Sequence, residues 1–241
     1  MAGEHVMGGR AVAAGRGWDW IASAWRLFGK APVVWIAWAV TFLVLSLLSL
    51  VVGGDFGRLA LVVVGPALMG GAALGCRELD AGRALKFGQL FAGFRLQPIQ
   101  LLAVGLICAL ATVLISAGVI LGSGVDMSRA RTLQDVLAMS PAELVAILLV
   151  MLIILGLLVP VAMAAWFAPL LVVFDGMNAG VALRESFVAN LRNVSPMLVY
   201  GLVLLPLAFV ATIPVLLGWI ALLPVLLASV YTSYKDIFTA E

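Results

Sequence analysis

Histidine is nearly absent from this chain: His5 is the only one in 241 residues, and it sits in a polar N-terminal stretch. Imidazole acid–base catalysis and most metal sites therefore lack their usual donor. No paired-carboxylate, HExxH, GxSxG or Walker-type pattern takes its place. Cysteine is scarce as well. Cys76 ends one apolar run and Cys108 lies inside another, with no CxxC spacing, so both read as small packing residues and no disulfide is predicted. Charge is the third scarcity, at 11% of residues. No charged residue falls near the centre of a predicted span, whereas ion-coupled carriers place ionisable groups there at a cost of roughly 2.5–3.5 kcal/mol each. These absences argue against ion-coupled transport and against an enzyme, and they predict no cofactor. The net charge of +2, scattered over short loops, gives no footprint for nucleic acid.

What is abundant is apolar sequence. Hydrophobic residues make up 64% of the chain, the composition of a multi-pass membrane protein. The first 16 residues lack the apolar core of a secretory signal, so targeting falls to the first span and the N-terminus is expected to be retained. Charge-free runs cover 31–54, 59–76, 96–125, 144–174 and 193–234. A span needs about 20 residues, so the last run, which as one helix would reach about 60 Å, must fold back, with Pro214 and Gly218 near its middle. Its two spans are read as 197–213 and 217–233. The run 144–174 holds Pro160 and Pro169 and reads as one tilted, kinked helix, with a broken or re-entrant segment as the alternative. The total is six spans.

Basic residues supply an independent check on that number, because Lys- and Arg-rich loops stay cytoplasmic. With six spans, one side receives Arg10, Arg16, Arg26, Lys30, Arg77, Arg83, Lys86, Arg95, Arg184, Arg192 and Lys235. The other receives Arg58, Arg129 and Arg131. Eleven against three places both termini in the cytoplasm, and a seventh span would strand the basic 184–192 segment outside.

A unit recurs three times: an amphipathic stretch with basic residues, a proline, then a long apolar run. WDWIASAWRLFGKAP precedes Val33, AGRALKFGQLFAGFRLQP precedes Ile99 and AGVALRESFVANLRNVSP precedes Met197. AGRALK at 81–86 matches AGVALR at 179–184 in five of six positions when Lys and Arg are equated, and FAGFR at 91–95 parallels VANLR at 188–192. An internal duplication, or convergence on one membrane-entry device, accounts for this. Helical periodicity groups Trp18, Ile21, Ala22, Trp25 and Phe28 on one face, with Asp19, Ser23, Arg26 and Lys30 opposite. The second copy groups Phe87, Leu90, Phe91 and Phe94, and the third Leu183, Phe187, Leu191 and Val194. Each reads as an interfacial helix in the headgroup layer that bends into a span at its proline, followed by a returning span with its own proline: Pro66, then Pro160 or Pro169, then Pro224.

The expected architecture is all-α: a flexible tail over 1–16, then a single membrane domain over 17–241. Its units run 17–79, 80–176 with an outer loop at 122–143, and 177–241. Gly65, Gly70, Gly71 and Gly75, including the Gly71-Ala-Ala-Leu-Gly75 spacing, read as close helix packing. In the outer loop Leu133, Val136 and Leu137 fit a short amphipathic helix, and Ser140-Pro-Ala-Glu143 fits a capping box that starts the fourth span. The loop reads as a solvated connector or a partner site. Glu78, Asp80, Arg83 and Lys86 read as a surface charge cluster, with headgroup binding as the alternative.

Three stretches carry a family resemblance: GWDWIASAWRLFGKAPVVW near the start, WFAPLLVVFDGMNAGVALRESFVANLRNVSP in the middle and LLPVLLASVYTSYKDIF at the end. They resemble a family of uncharacterised inner-membrane proteins, mostly of proteobacteria. More distantly the chain looks similar to the membrane domain attached to some glycerophosphodiester phosphodiesterases, without their catalytic domain. The resemblance implies a six-helix membrane fold and no site residues. The expected role is a non-enzymatic scaffold or accessory factor that engages membrane lipids, a membrane-protein partner or a second copy. Its candidate contacts are Trp18, Trp25, Phe28, Phe91, Phe94, Arg95, Trp166, Phe187 and Arg192. The rival reading is a passage or carrier for lipid or another hydrophobic small molecule, opening at Trp166, Phe167, Pro169 and Phe174.

Overall fold

A proline that opens a helix disfavours helical torsions in the residue before it, and that rule sets the first corners of the chain. The computed structural model describes residues 8–126, 132–213 and 217–239; His5, Arg129, Arg131 and Pro214 lie outside the described residues. The elements are α1 (Arg16–Lys30), α2 (Pro32–Asp80), a 3-10 helix η1 (Phe87–Phe91), α3 (Gly93–Leu96), α4 (Pro98–Ser123), α5 (Leu133–Leu137), α6 (Pro141–Asp175), α7 (Ala179–Arg192), α8 (Val194–Thr212) and α9 (Trp219–Phe238). Ala31 (φ −151°, ψ 55°) turns α1 into α2, and Gln97 (φ −141°, ψ 52°) turns α3 into α4. The third corner falls earlier than predicted. It lies at Asn193, and Pro196 sits inside the first turn of α8, where a missing N–H breaks no intrahelical bond.

Unbroken, the 49 residues of α2 would extend roughly 74 Å. Gly54 (φ 49°, ψ −128°) interrupts them with a torsion that a Cβ would strain, and leaves two arms, Pro32–Val51 and Phe56–Asp80. The arms run back on each other, because Lys30 Nζ donates to the Leu79 carbonyl at 3.1 Å. Together with α4, α6, α8 and α9 they make six segments long and apolar enough to cross a membrane. Residues 141–175 form one continuous helix with Pro160 and Pro169 in its interior, so the fourth run is a single span of roughly 52 Å. Its start is the predicted capping box: Glu143 N–H donates to Ser140 Oγ (3.3 Å) and Ser140 N–H to Glu143 Oε2 (2.9 Å).

The three amphipathic segments lie at the same end of the bundle, and each differs from its predicted stripe. On α1 the buried face is Gly17, Trp20, Ile21, Ala24 and Leu27, packed on α8 and α9. Trp18 and Trp25 sit beside that face and remain exposed. The second segment is not one helix. It divides into η1 and α3 because backbone meets backbone there: a Cβ on Gly71 would fall 2.0 Å from the Leu90 carbonyl oxygen, and one on Gly93 2.1 Å from that of Ala67. The third, α7, turns a small and polar face inward, with Ala182, Glu185, Ser186, Ala189 and Asn190 buried and Leu191 exposed. Ser186 Oγ donates to the Met163 carbonyl (2.7 Å) and accepts from Phe167 N–H (2.9 Å). Those are two groups that an α-helix would bond to each other, so a side chain of α7 is inserted into the ladder of α6.

The largest fully buried side chains, Trp20, Trp35, Trp38, Phe167 and Phe238, gather at this same end. Towards the other end Leu47, Leu114, Leu152, Leu202 and Phe209 are more than half exposed, an extent of apolar surface suited to hydrocarbon rather than water. Cys76 and Cys108 are free and buried. Part of the segment expected as a flexible tail is pinned to the body. Arg10 N–H donates to the Ile237 carbonyl (2.8 Å), and the fully buried Asn193 accepts from Val12 N–H and donates to the Arg10 carbonyl, each at 2.9 Å. A buried amide needs such partners, and the chain at 10–12 supplies them.

Candidate functional site

One carboxylate organises the end where the amphipathic segments meet. Asp236, on the last turn of α9, is 5% exposed at its side chain. Its Oδ2 accepts from Arg16 Nε (2.7 Å) and from Trp20 Nε1 (2.8 Å), while Oδ1 accepts from Arg16 Nη2 (2.8 Å) and Arg10 Nη2 (3.2 Å). Arg10 Nε adds a bond to the Asp236 carbonyl (2.7 Å). One negative charge is thus held by two guanidinium groups and an indole N–H, and Arg16 also pairs with the exposed carboxylate of Asp19 at 3.6 Å.

Beside it lies a cavity of about 400 Å³. One wall is the polar face of α1, where Ser23, Arg26 and Lys30 recur at helical spacing. The facing wall is the last two turns of α9, with Tyr231, Thr232, Lys235 and Asp236, and Asp80 closes it from the end of α2. Asp80 Oδ2 accepts from Lys235 Nζ at 2.7 Å and from Tyr231 OH at 3.3 Å. Arg26 Nη2 donates to Ser23 Oγ (2.8 Å), and Lys30 caps the Leu79 carbonyl. Among the described residues neither Arg26 nor Lys30 is ion-paired.

The predicted charge cluster at 78–86 is divided by the fold. Glu78 pairs with Arg83 on the exposed corner after α2, and that hydrogen bond holds the Arg83 guanidinium above its ordinary pKa. Asp80 instead faces the cavity, and the Lys86 N–H donates to Gln89 Oε1 (2.7 Å).

The predicted contact residues go to different places. Trp18 and Trp25 are 59% and 43% exposed, and Phe91 and Arg95 are exposed. Phe28 is partly buried, edge-on to Trp25, and Phe94 and Phe187 are also partly buried. Arg192 holds the N-terminal segment, donating to the carbonyls of Gly8 (3.3 Å) and Gly9 (3.1 Å). Trp166 packs edge-on to Tyr200. Of the other residues named for the rival opening, Phe167 is fully buried against Phe238, Pro169 is buried, and Phe174 packs on Tyr231 and Tyr234.

The sequence reading missed Asp236 and Trp20, which lie 216 positions apart and announce their pairing in no local pattern. It also missed the inner face of α7, although Ser186, Asn190 and Asn193 do recur at helical spacing. Among the described residues no group of three or more metal-ligating side chains assembles.

Comparison with known proteins agrees with this architecture. No family model matches the chain and no solved structure matches it. It is 30% identical over 230 residues to a probable inner membrane protein of Burkholderia thailandensis, an alignment covering 91% of this chain and 82% of that protein. The expected proteobacterial inner-membrane family is therefore supported, while the likeness to phosphodiesterase membrane domains receives no support from these matches. With six apolar segments of spanning length and a relative matched along most of both chains, the protein belongs to the family of the Burkholderia probable inner membrane protein and is a multi-pass inner membrane protein.

Proposed function

We propose that this protein is a non-enzymatic scaffold or accessory factor of the inner membrane, whose basic end faces the cytoplasm and engages lipid at the headgroup layer. The exposure of Trp18 and Trp25 on α1 carries the reading. Two indoles left uncovered beside the polar face of an amphipathic helix have the amphipathic character that suits them to a membrane–water interface. The eleven basic residues counted on this side supply attraction for anionic headgroups of about 1 kcal/mol for each that lies near the surface. A membrane-protein partner or a second copy of the chain would bind alongside this lipid contact.

The test is the pair Trp18→Ser and Trp25→Ser, which removes surface indoles without touching the buried face of α1. A spin label at Gly29, where an added side chain meets open space, should sit at headgroup depth in vesicles containing phosphatidylglycerol. In the double variant it should move to water. An unchanged depth would count against docking. The carrier reading takes its support from two apolar grooves of about 540 and 520 Å³ on either side of α9, which share Trp219. The variant leaves those grooves intact, so lipid movement that survives loss of docking would favour a carrier.

A further inference from the structure

We propose that the cavity between α1 and α9 is a binding site for the phosphate ester of a small polyol, the chemistry shared by a glycerophospholipid headgroup and a soluble glycerol phosphate. The inference deepens the lipid-engaging reading by naming a site and a ligand, and it rests on that reading only for placing this end at the headgroup layer.

Charge is the first argument. Arg10, Arg16, Arg26, Lys30 and Lys235 line the cavity against two carboxylates, Asp80 and Asp236, and once Asp19, which pairs with Arg16, is counted the excess is two positive charges. Both carboxylates are already engaged by cations of the wall, Asp236 by Arg10 and Arg16 and Asp80 by Lys235. Arg26 and Lys30 are not ion-paired among the described residues, and they lie one helical turn apart on the same face of α1. An arginine fork next to a lysine is a donor set that matches a phosphate, since guanidinium offers two parallel N–H groups and ammonium a movable point charge.

Shape and hydroxyls supply the second argument. At about 400 Å³ the cavity lies within the range of small-molecule sites and exceeds what a bare phosphate needs. The remaining wall offers the hydroxyls of Ser23, Tyr231, Thr232 and Thr239; the last three donate within the protein, to Asp80, the Trp20 carbonyl and the Lys235 carbonyl, so their oxygens are left to accept from the hydroxyls of a polyol. The carbonyl end of α2 would repel an anion, but Lys30 Nζ covers its Leu79 oxygen at 3.1 Å. Position is the third argument. The cavity opens beside the helix that bears Trp18 and Trp25, so a lipid with its chains in the bilayer would present its headgroup there.

The experiment uses full-length protein in a neutral detergent with two probes, phosphatidylglycerol measured by native mass spectrometry and glycerol 3-phosphate measured by calorimetry. Wild type should retain at least one of them, and Arg26→Gln with Lys30→Gln should weaken it by at least about tenfold, the loss expected for one charge-assisted contact. Retention of phosphatidylglycerol that glycerol 3-phosphate does not displace assigns the lipid as source, and binding of glycerol 3-phosphate alone assigns the soluble ester. Because Lys30 also caps α2, Arg26→Gln alone serves as the fold-neutral variant and Arg83→Gln, outside the cavity, as the control. Neither probe binding to folded wild type, or equal binding by wild type and Arg26→Gln, would overturn the proposal. Loss of docking in the tryptophan variant with phosphate binding intact would separate the two readings.

Discussion

Asp236 is the residue on which the basic end depends, because it is the one carboxylate against which Arg10, Arg16 and Trp20 all close. Asp236→Asn keeps the shape and removes the charge, leaving two guanidinium groups with a weaker acceptor. Both arginines are more than a third exposed, so solvent screens part of the loss and the expected cost is about 2 kcal/mol. Thermal unfolding in detergent checks it, and an unchanged midpoint would show that the clamp is incidental. Nothing in the sequence near 236 marks this role. The partners come from residues 10–20, across almost the full length of the chain, and Arg10 belongs to a stretch whose composition reads as a tail. Trp20 was overlooked for a related reason: the periodicity at 18–28 admits two adjacent apolar faces, and only packing on α9 shows that Trp20, Ala24 and Leu27 form the inner one.

At the scale of elements, what the sequence makes legible is what the bilayer and proline dictate. A charge-free run of spanning length, a proline at its entrance and a capping box at Ser140 are local signals, and the spans and corners they predict form, with the third corner displaced to Asn193. What they do not reveal is how closely the elements approach. The glycines of the second arm of α2 illustrate the point, because identical residues serve opposite surroundings. Gly71 faces the Leu90 carbonyl so closely that an added Cβ has no room, whereas Gly65 faces open space. Gly71→Ala should therefore destabilise the protein by about 1–3 kcal/mol through forced displacement of η1. Gly65→Ala should be neutral or slightly favourable, since alanine is the better helix former. A paired comparison of melting temperatures checks both, and equal effects would contradict the contact. The same close approach explains why the second amphipathic segment, read from its phenylalanines as one helix, breaks into η1 and α3.

Over the whole molecule the arrangement is polar along its long axis. The amphipathic segments, the Asp236 clamp, the cavity between α1 and α9 and the largest buried aromatics share one end, while the other is built of spans with exposed aliphatic side chains. Lipid docking by Trp18 and Trp25 and binding of a polyol phosphate between α1 and α9 both require that the basic end lie on the leaflet predicted by the distribution of Lys and Arg. Cysteine labelling in intact cells tests that requirement directly. Single cysteines at Ala11 and Gly180 mark the basic end and at Gly122 and Ala138 the opposite one, all exposed, while the native Cys76 and Cys108 are buried. The account predicts that a membrane-impermeant maleimide reaches 122 and 138 from outside, and reaches 11 and 180 only after the inner membrane is permeabilised. Labelling of 11 and 180 in intact spheroplasts, with 122 and 138 protected, would contradict it.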